Sequence, residues 1–386
     1  MKLLFALALF SIATSPLFAV DEIIPRDERN LSLRNEVQLA IDKGLAFLKA
    51  RQKADGSWSA AEPNHPALTA LPLLAFQREP TGRYLEGQPE FMQKGYAFIR
   101  SKAQPNGGIY SRGLANYNTS LALLALLNSG NANDEALIET AHRFIVGQQA
   151  RALPDPSLDG GIGYGPAGTE HGHPDLDNTL VALEALRAYK ITHPSAEAAA
   201  GKDLNWSAAI EFISRCQNLP ETNKEPWVST APADRGGFVY FPGDSKAGKT
   251  TLPDGRVAYR SYGTMTYAGL LSYIYADLKK DDPRVTSAVD WLTHNYTLDE
   301  NPGLQHAGLY YYYHLMSKGL AAAGLKELKL ADGRKINWEK ELGLKLIDIQ
   351  NSDGSWVNDT GRWMEKDPVL VTSYCVMALE IIYGEL

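Results

Sequence analysis

The sequence predicts an all-α fold of six helical hairpins in two layers, arranged as a closed ring or a solenoid. Three observations carry this. A glycine-centred turn recurs six times along the 386 residues. Each turn lies between two helical patterns. The helix after the turn is apolar on nearly all faces, whereas the helix before it has a single apolar face. A helix apolar all round must be covered all round, so it belongs inside, and its amphipathic partner belongs outside. A closed ring has no exposed terminal repeats, and neither end of the chain reads as a polar capping repeat.

In chain order, the first segment is an address. Lys2 precedes an apolar run from Leu3 to Phe10, broken by Ser11, Thr14, Ser15 and Pro16, with Ala19 as a small residue for cleavage. Residues 1–19 read as a secretory signal peptide, which predicts an exported, periplasmic or secreted protein. No later run approaches a membrane span, so no transmembrane segment is expected after cleavage. Residues 20–386 read as one ring.

The turns follow. They are Asp55-Gly56-Ser57-Trp58, Asn106-Gly107-Gly108-Ile109-Tyr110, Asp159-Gly160-Gly161-Ile162-Gly163-Tyr164, Arg235-Gly236-Gly237-Phe238, the weaker Asn301-Pro302-Gly303, and Asp353-Gly354-Ser355-Trp356. Their glycines are 51, 53, 76, 67 and 51 residues apart, so the third and fourth units carry insertions. Outer helices such as 40–52 and 137–149 end near Gln. The inner helices open with Thr69, Thr119, Thr179, Thr266 and Thr372, where threonine is expected to cap the helix. In the fifth unit Tyr310, Tyr311, Tyr312, Tyr313 and His314 take that place.

Composition narrows the function. The chain is 44% apolar and 22% charged, with a net charge of -7, 19 Tyr and 7 Trp. That excludes disorder and gives no basic footprint for nucleic acid. Cys216 and Cys375 are the only cysteines and read as buried thiols.

The pairing of Gln52 with Trp58, and of Gln350 with Trp356, around Asp-Gly-Ser-Trp resembles the repeat of squalene cyclases and protein prenyltransferase β-subunits. The resemblance covers almost the whole mature chain and implies an α6/α6 toroid. The segments 260–268 and 298–303 resemble exported bacterial members of that superfamily. Asp175-Leu176-Asp177-Asn178-Thr179 resembles the Asp-x-Asp-Asp-Thr signature of class II terpene cyclases, whose middle Asp protonates an alkene or epoxide. The resemblance therefore implies Asp177 as acid with Asp175 beside it, and Asn178 replaces the third carboxylate. The corresponding positions in other units are Ala67, Tyr117, Thr264 and Leu370, so only the third unit places an acid there. The bland alternative is a helix start whose Asp caps backbone amides.

Further candidates surround this motif. His171, His173 and Asp175 alternate in a loop that could hold a divalent metal, but nothing fixes a geometry and no metal or other cofactor is expected. The prenyltransferase zinc set is missing around Thr264-Met265-Thr266. Residues 243–250 match a phosphate-loop pattern, but Pro253 and Gly255 prevent a helix from starting there, so no nucleotide is expected. Tyr117, Tyr262, Tyr267, Tyr311 and Tyr312 are candidates to stack a ligand or stabilise a cation, and Arg260 to contribute a polar contact. Three functions remain open: a terpene-cyclase-like isomerase with an apolar, isoprenoid-like ligand, a non-catalytic binding or scaffold toroid, and a polysaccharide-active hydrolase or lyase with a glycan ligand.

Overall fold

The computed structural model describes residues 30–58, 64–85, 87–165, 172–194 and 203–386; the expected signal peptide and His171 lie outside them. Twelve α-helices occur among the described residues. The outer six are α1 (Leu31–Ala50), α3 (Glu90–Arg100), α5 (Glu135–Gly147), α7 (Trp206–Arg215), α9 (Pro283–His294) and α11 (Trp338–Asp348). The inner six are α2 (Ala67–Arg78), α4 (Ala115–Leu127), α6 (Leu176–Thr192), α8 (Gly263–Tyr275), α10 (Leu309–Ala323) and α12 (Pro368–Glu385). Each inner helix packs on the next, and α12 packs on both α2 and α1, so the ring closes as an α6/α6 toroid. By length and apolarity α12 would pass for a membrane span, but here it is a largely buried wall of the ring.

The same local device builds five of the six hairpins. Thr69, Thr119, Thr179, Thr266 and Thr372 do not cap their helices, contrary to expectation. They sit inside the first turns, where each hydroxyl accepts the N–H of the turn's apolar residue. The donors are Trp58 (3.3 Å), Ile109 (2.9 Å), Ile162 (3.0 Å), Phe238 (3.1 Å) and Trp356 (3.1 Å). The hydroxyl of Thr119 also donates to the carbonyl four residues back at 2.6 Å, that of Thr179 at 2.7 Å and that of Thr266 at 2.8 Å. One hydroxyl thus joins the turn to the inner helix and satisfies a buried amide that helix geometry leaves alone.

The recurrent Gln supplies the outward tie. Gln52 Nε2 donates to the carbonyls of Gly56 and of Phe91 on the next outer helix, at 2.9 and 2.8 Å. Gln149 and Gln217 repeat this toward Asn205 and Arg284, each at 2.9 Å. Gln350 reaches the carbonyl of Ala40 at 2.9 Å and so ties the last unit to the first. The turn glycine is required at this junction. Gly160 has φ +91°, and a Cβ there would collide with the Ala208 carbonyl of the next outer helix.

The insertions lie between outer and inner helices. Residues 243–250 run into an antiparallel hairpin, β1 (Lys249–Thr251) with β2 (Val257–Tyr259), so no helix N-terminus follows the phosphate-loop pattern. A second hairpin, β3 (Glu327–Lys329) with β4 (Lys335–Asn337), precedes α11 and had no signal in the repeat pattern. Cys216 and Cys375 are separate buried thiols.

Replacing Thr372 by Val keeps the shape but strands the Trp356 amide. We expect a loss of about 1–3 kcal/mol in chemical denaturation, with Thr372→Ser losing less. A larger loss in Thr372→Ser than in Thr372→Val would show that the methyl group, not the hydroxyl, matters here.

Candidate functional site at the mouth of the ring

All six inner helices follow their turns in the same sense, so their N-termini gather at one mouth of the ring. The two aspartates of the third unit divide the work there. Asp175 is fully buried and is the N-cap of α6. One carboxylate oxygen accepts the Asn178 N–H at 2.8 Å and the other accepts Asn178 Nδ2 at 2.9 Å. The Tyr240 hydroxyl bonds the same carboxylate. Asn178 in turn receives Asn116 Nδ2 at its carbonyl, 3.1 Å away. An amide in the third position therefore donates to Asp175, which a third carboxylate could not do unless protonated.

Asp177 sits one position inside the helix, enclosed by protein but keeping some surface toward the mouth. Its Oδ1 accepts the hydroxyl of Tyr311, from α10 across the ring, at 2.7 Å. Beside this bridge the hydroxyls of Tyr117 (α4) and Tyr374 (α12) meet at 3.3 Å. The rings of Tyr311 and Tyr374 lie 5.2 Å apart, and His314 stacks on Tyr374 at 5.5 Å. Four inner helices thus meet in one tyrosine plug around a carboxyl group.

The electrostatics follow from enclosure. Burial raises the Asp175 carboxyl to about 7, reinforced by the charge of Asp177 and opposed by the Asn178 hydrogen bonds. Burial also raises Asp177, and the Tyr311 hydroxyl and the Lys318 charge oppose it. Burial holds the phenols of Tyr117, Tyr311 and Tyr374 neutral, so they act as donors.

The other candidates are spread out. Tyr262 is buried at the mouth within the field of Asp177 and Asp175. Tyr267 and Tyr312 are buried against each other, 5.6 Å apart, and Tyr312 donates to the Thr297 carbonyl at 3.1 Å. They fill the seam between α8 and α10 and do not join the plug. His173 is exposed and packs edge-on against Phe241 at 5.0 Å. Arg260 is exposed, and Asp299 pairs with Lys345 at 3.3 Å. Of the alternating loop, Asp175 is committed to the helix cap and His171 lies outside the described residues. Among the described residues no group of three or more His, Cys, Asp or Glu is placed to hold a metal.

Below the plug the lumen is nearly full. A cavity of about 30 Å³ is walled by Leu71, Leu124, Leu180 and Met377, with Tyr117, Tyr311 and Tyr374 above it. Its floor is charged. Lys318 Nζ lies 2.5 Å from Glu184 Oε2, and Arg78 lies 3.7 Å from Glu184 Oε1. Sequence reasoning missed this floor and also missed Tyr164 and Tyr240 at the mouth. The available signal was spacing: Glu184 follows Asp177 by seven residues, and Lys318 follows Tyr311 by seven, which puts each pair on one helix face.

No family model matches the sequence, and no curated protein matches it either. Solved structures do share its fold. The type II terpene cyclase MstE from Scytonema, apo form, is 13% identical over 92% of this chain and 99% of that chain, with TM-score 0.53. A GH76 α-mannanase from Bacteroides thetaiotaomicron is 10% identical over 89% of this chain and 95% of its own, with TM-score 0.53. The Hormoconis resinae glucoamylase is 12% identical over 92% and 74%, with TM-score 0.50. All are α/α toroids, so the terpene-cyclase-like ring expected from the repeat is the fold of this chain.

Asp175 makes a pH prediction. Folded, it keeps its proton up to about pH 7; unfolded, it releases it near 3.8. Between those values the native state binds the extra proton, so this site's contribution to stability falls as pH rises and is level above pH 7. Asp175→Asn should remove that component, raising thermal stability relative to wild type more at pH 8 than at pH 4. A pH-independent difference would contradict the assignment.

Proposed function

We propose that the ring binds an apolar, isoprenoid-like ligand at its tyrosine-lined mouth, and that Asp177 protonates it to start a terpene-cyclase-like isomerisation. The observation that carries this reading is an enclosed carboxyl, raised by burial, that meets neutral tyrosines at the lumen mouth. Because Tyr311 donates to Oδ1, the proton of the neutral acid belongs on Oδ2, the oxygen free to reach a ligand. The faces of Tyr117, Tyr262 and Tyr374 then supply electron-rich surface to a developing cation. Asp175 and Asn178 hold the helix start in place. MstE, with the same ring, has been solved with geranylgeranyl dihydroxybenzoate.

The glycan reading has less support. Glycoside hydrolysis generally uses two carboxyl groups flanking the bond. Here Asp175 is fully buried in the cap, so among the described residues of this helix start only Asp177 keeps exposed surface on its carboxyl side chain. One observation favours binding without turnover. The lumen cavity of about 30 Å³ has room for roughly two waters, so a ligand must stay at the mouth or part Tyr117 from Tyr374. Export remains part of the proposal, resting on residues 1–19, and N-terminal sequencing of protein recovered outside the cytoplasm tests it.

The decisive experiment incubates the purified protein with geranylgeranyl and farnesyl compounds and analyses products by mass spectrometry. We expect cyclised or isomerised product from wild type, a loss of at least 100-fold in Asp177→Asn, and unchanged circular dichroism. Tight binding with no product would leave a binding toroid. Neither binding nor product would end the isoprenoid reading.

A further inference from the structure

Among the described residues, Tyr311 is the side chain that hydrogen-bonds Asp177. It is the third residue of α10, so its backbone amide belongs to the first turn, where helix geometry provides no partner. The residue before α10 is Gly308, which brings no side-chain cap. The partner comes instead from the chain that leads into α12. Glu365 is 1% exposed, and its Oε1 accepts the Tyr311 N–H at 2.8 Å. The amides of Tyr310 and Leu309 bond the same carboxyl group. Asn358 Nδ2 holds the other oxygen at 2.6 Å and also reaches the His306 carbonyl at 2.7 Å. Burial raises Glu365, and these four donors oppose it. Every partner is a donor, which suits an ionised carboxylate, and a helix N-terminus favours that charge. Nothing in the proton-donor reading above uses this group.

Two other inner helices are also capped from the following unit, but by neutral amides. The Ala67 N–H donates to Asn118 Oδ1 at 3.1 Å, and the Thr264 N–H to Asn301 Oδ1 at 3.0 Å. On α10, the helix that carries Tyr311, the cap is a carboxyl group that gathers three amides of the first turn. The chain reaches this position through strained backbone. Trp363 and Met364, just before Glu365, have φ of +53° and +65°, a region that residues with a Cβ avoid. Such strain persists only where the surroundings impose it. Here the Trp363 ring packs over Gly308, where a Cβ would come within 3.1 Å of it. The chain then turns inward and buries Glu365, while Trp363 stays 46% exposed.

We propose that Glu365 is a positioning residue for Asp177: by fixing the first turn of α10 it seats the Tyr311 hydroxyl on Oδ1 and so leaves the acid's proton on Oδ2, toward a ligand. Glu365 touches neither ligand nor reacting atoms and acts through Tyr311. The role rests on Asp177 being the proton donor. The mechanics are those of a lever. The Tyr311 hydroxyl stands at the far end of a rigid ring, 2.7 Å from Oδ1. A small rotation of an uncapped first turn carries it out of hydrogen-bond range. Asp177 then loses a bond that opposes its burial, and either oxygen can carry the proton.

The test is a ¹³C-carboxyl NMR titration of Asp177 in the purified, ligand-free protein, run as a double-mutant cycle. Tyr311→Phe removes the donor and should raise the Asp177 midpoint by about one pH unit, roughly a tenfold loss of acidity. Glu365→Ala should raise it by about half a unit or more, roughly threefold. In a Tyr311→Phe background, Glu365→Ala should add nothing. Asp175, Lys318 and the phenols of Tyr117, Tyr164, Tyr240, Tyr262 and Tyr374, whose fields meet Asp177, are unchanged throughout. Loss of the Glu365 charge would by itself lower a neighbouring carboxyl, so an upward shift separates the lever from the field. Loosened packing would act whether or not the Tyr311 hydroxyl is present. A midpoint unmoved or lowered in Glu365→Ala, or a shift that persists in Tyr311→Phe, would overturn the proposal. If Glu365→Ala fails to fold, Glu365→Asp, one methylene too short to reach the amides, takes its place with the same outcomes. The titration needs no turnover, so the lever can fail while Asp177 remains the acid. Equally, a protein that turns over no isoprenoid would end the donor reading while the cycle still reports the lever.

Discussion

Six helices closed into a ring leave an axis that no backbone occupies. With neighbouring helices about 8–10 Å apart, the gap is roughly the width of a seventh helix. Whatever side chains point inward must fill it, hydrate it or leave it open. This chain fills most of it with leucines and methionine, then places tyrosines at one end and charges at the other. The plug, the enclosed acids and the paired cations all follow from that requirement. A buried carboxyl here is not an accident of packing, because any polar group facing the axis is removed from water by the wall around it.

The architecture was legible because the turns are chemically demanding. A glycine at φ +91° against a neighbouring carbonyl, as at Gly160, leaves few alternatives in sequence. The apolar inner helices were equally plain. What the inner threonines do was not. A Thr near a helix start reads as a cap, and only the fold shows the turn amide of Trp58 or Ile162 seated on its hydroxyl. Side-chain hydrogen bonds across a hairpin have no one-dimensional signature.

The site was legible in part for the same reason. The Asp175-x-Asp177 spelling marked the start of α6, yet it did not show that Asp175 is the buried cap and Asp177 the partly exposed residue. That distinction depends on two positions of helical phase. Tyr311 was found because four tyrosines must point around a full turn, so one of them meets the axis. Tyr312, from the same run, lands in a seam against Tyr267 of α8 instead. Glu184 and Lys318 escaped notice because isolated charges on apolar helices look like errors in a pattern until the opposite helix supplies the partner.

The Gln350 amide has a meaning for how the molecule comes into being. It grips the Ala40 carbonyl, 310 positions earlier in the chain, while Asn30 reaches the terminal Leu386 carbonyl at 3.5 Å. The first hairpin therefore lacks one wall until α12 has arrived. A linear repeat array can settle unit by unit as it emerges from the ribosome, each new piece stacking on a finished one. Here the opening pair must wait, with its apolar flank uncovered, for the closing one. The contacts that cover the first hairpin's open flank thus form only once the last helix is in place.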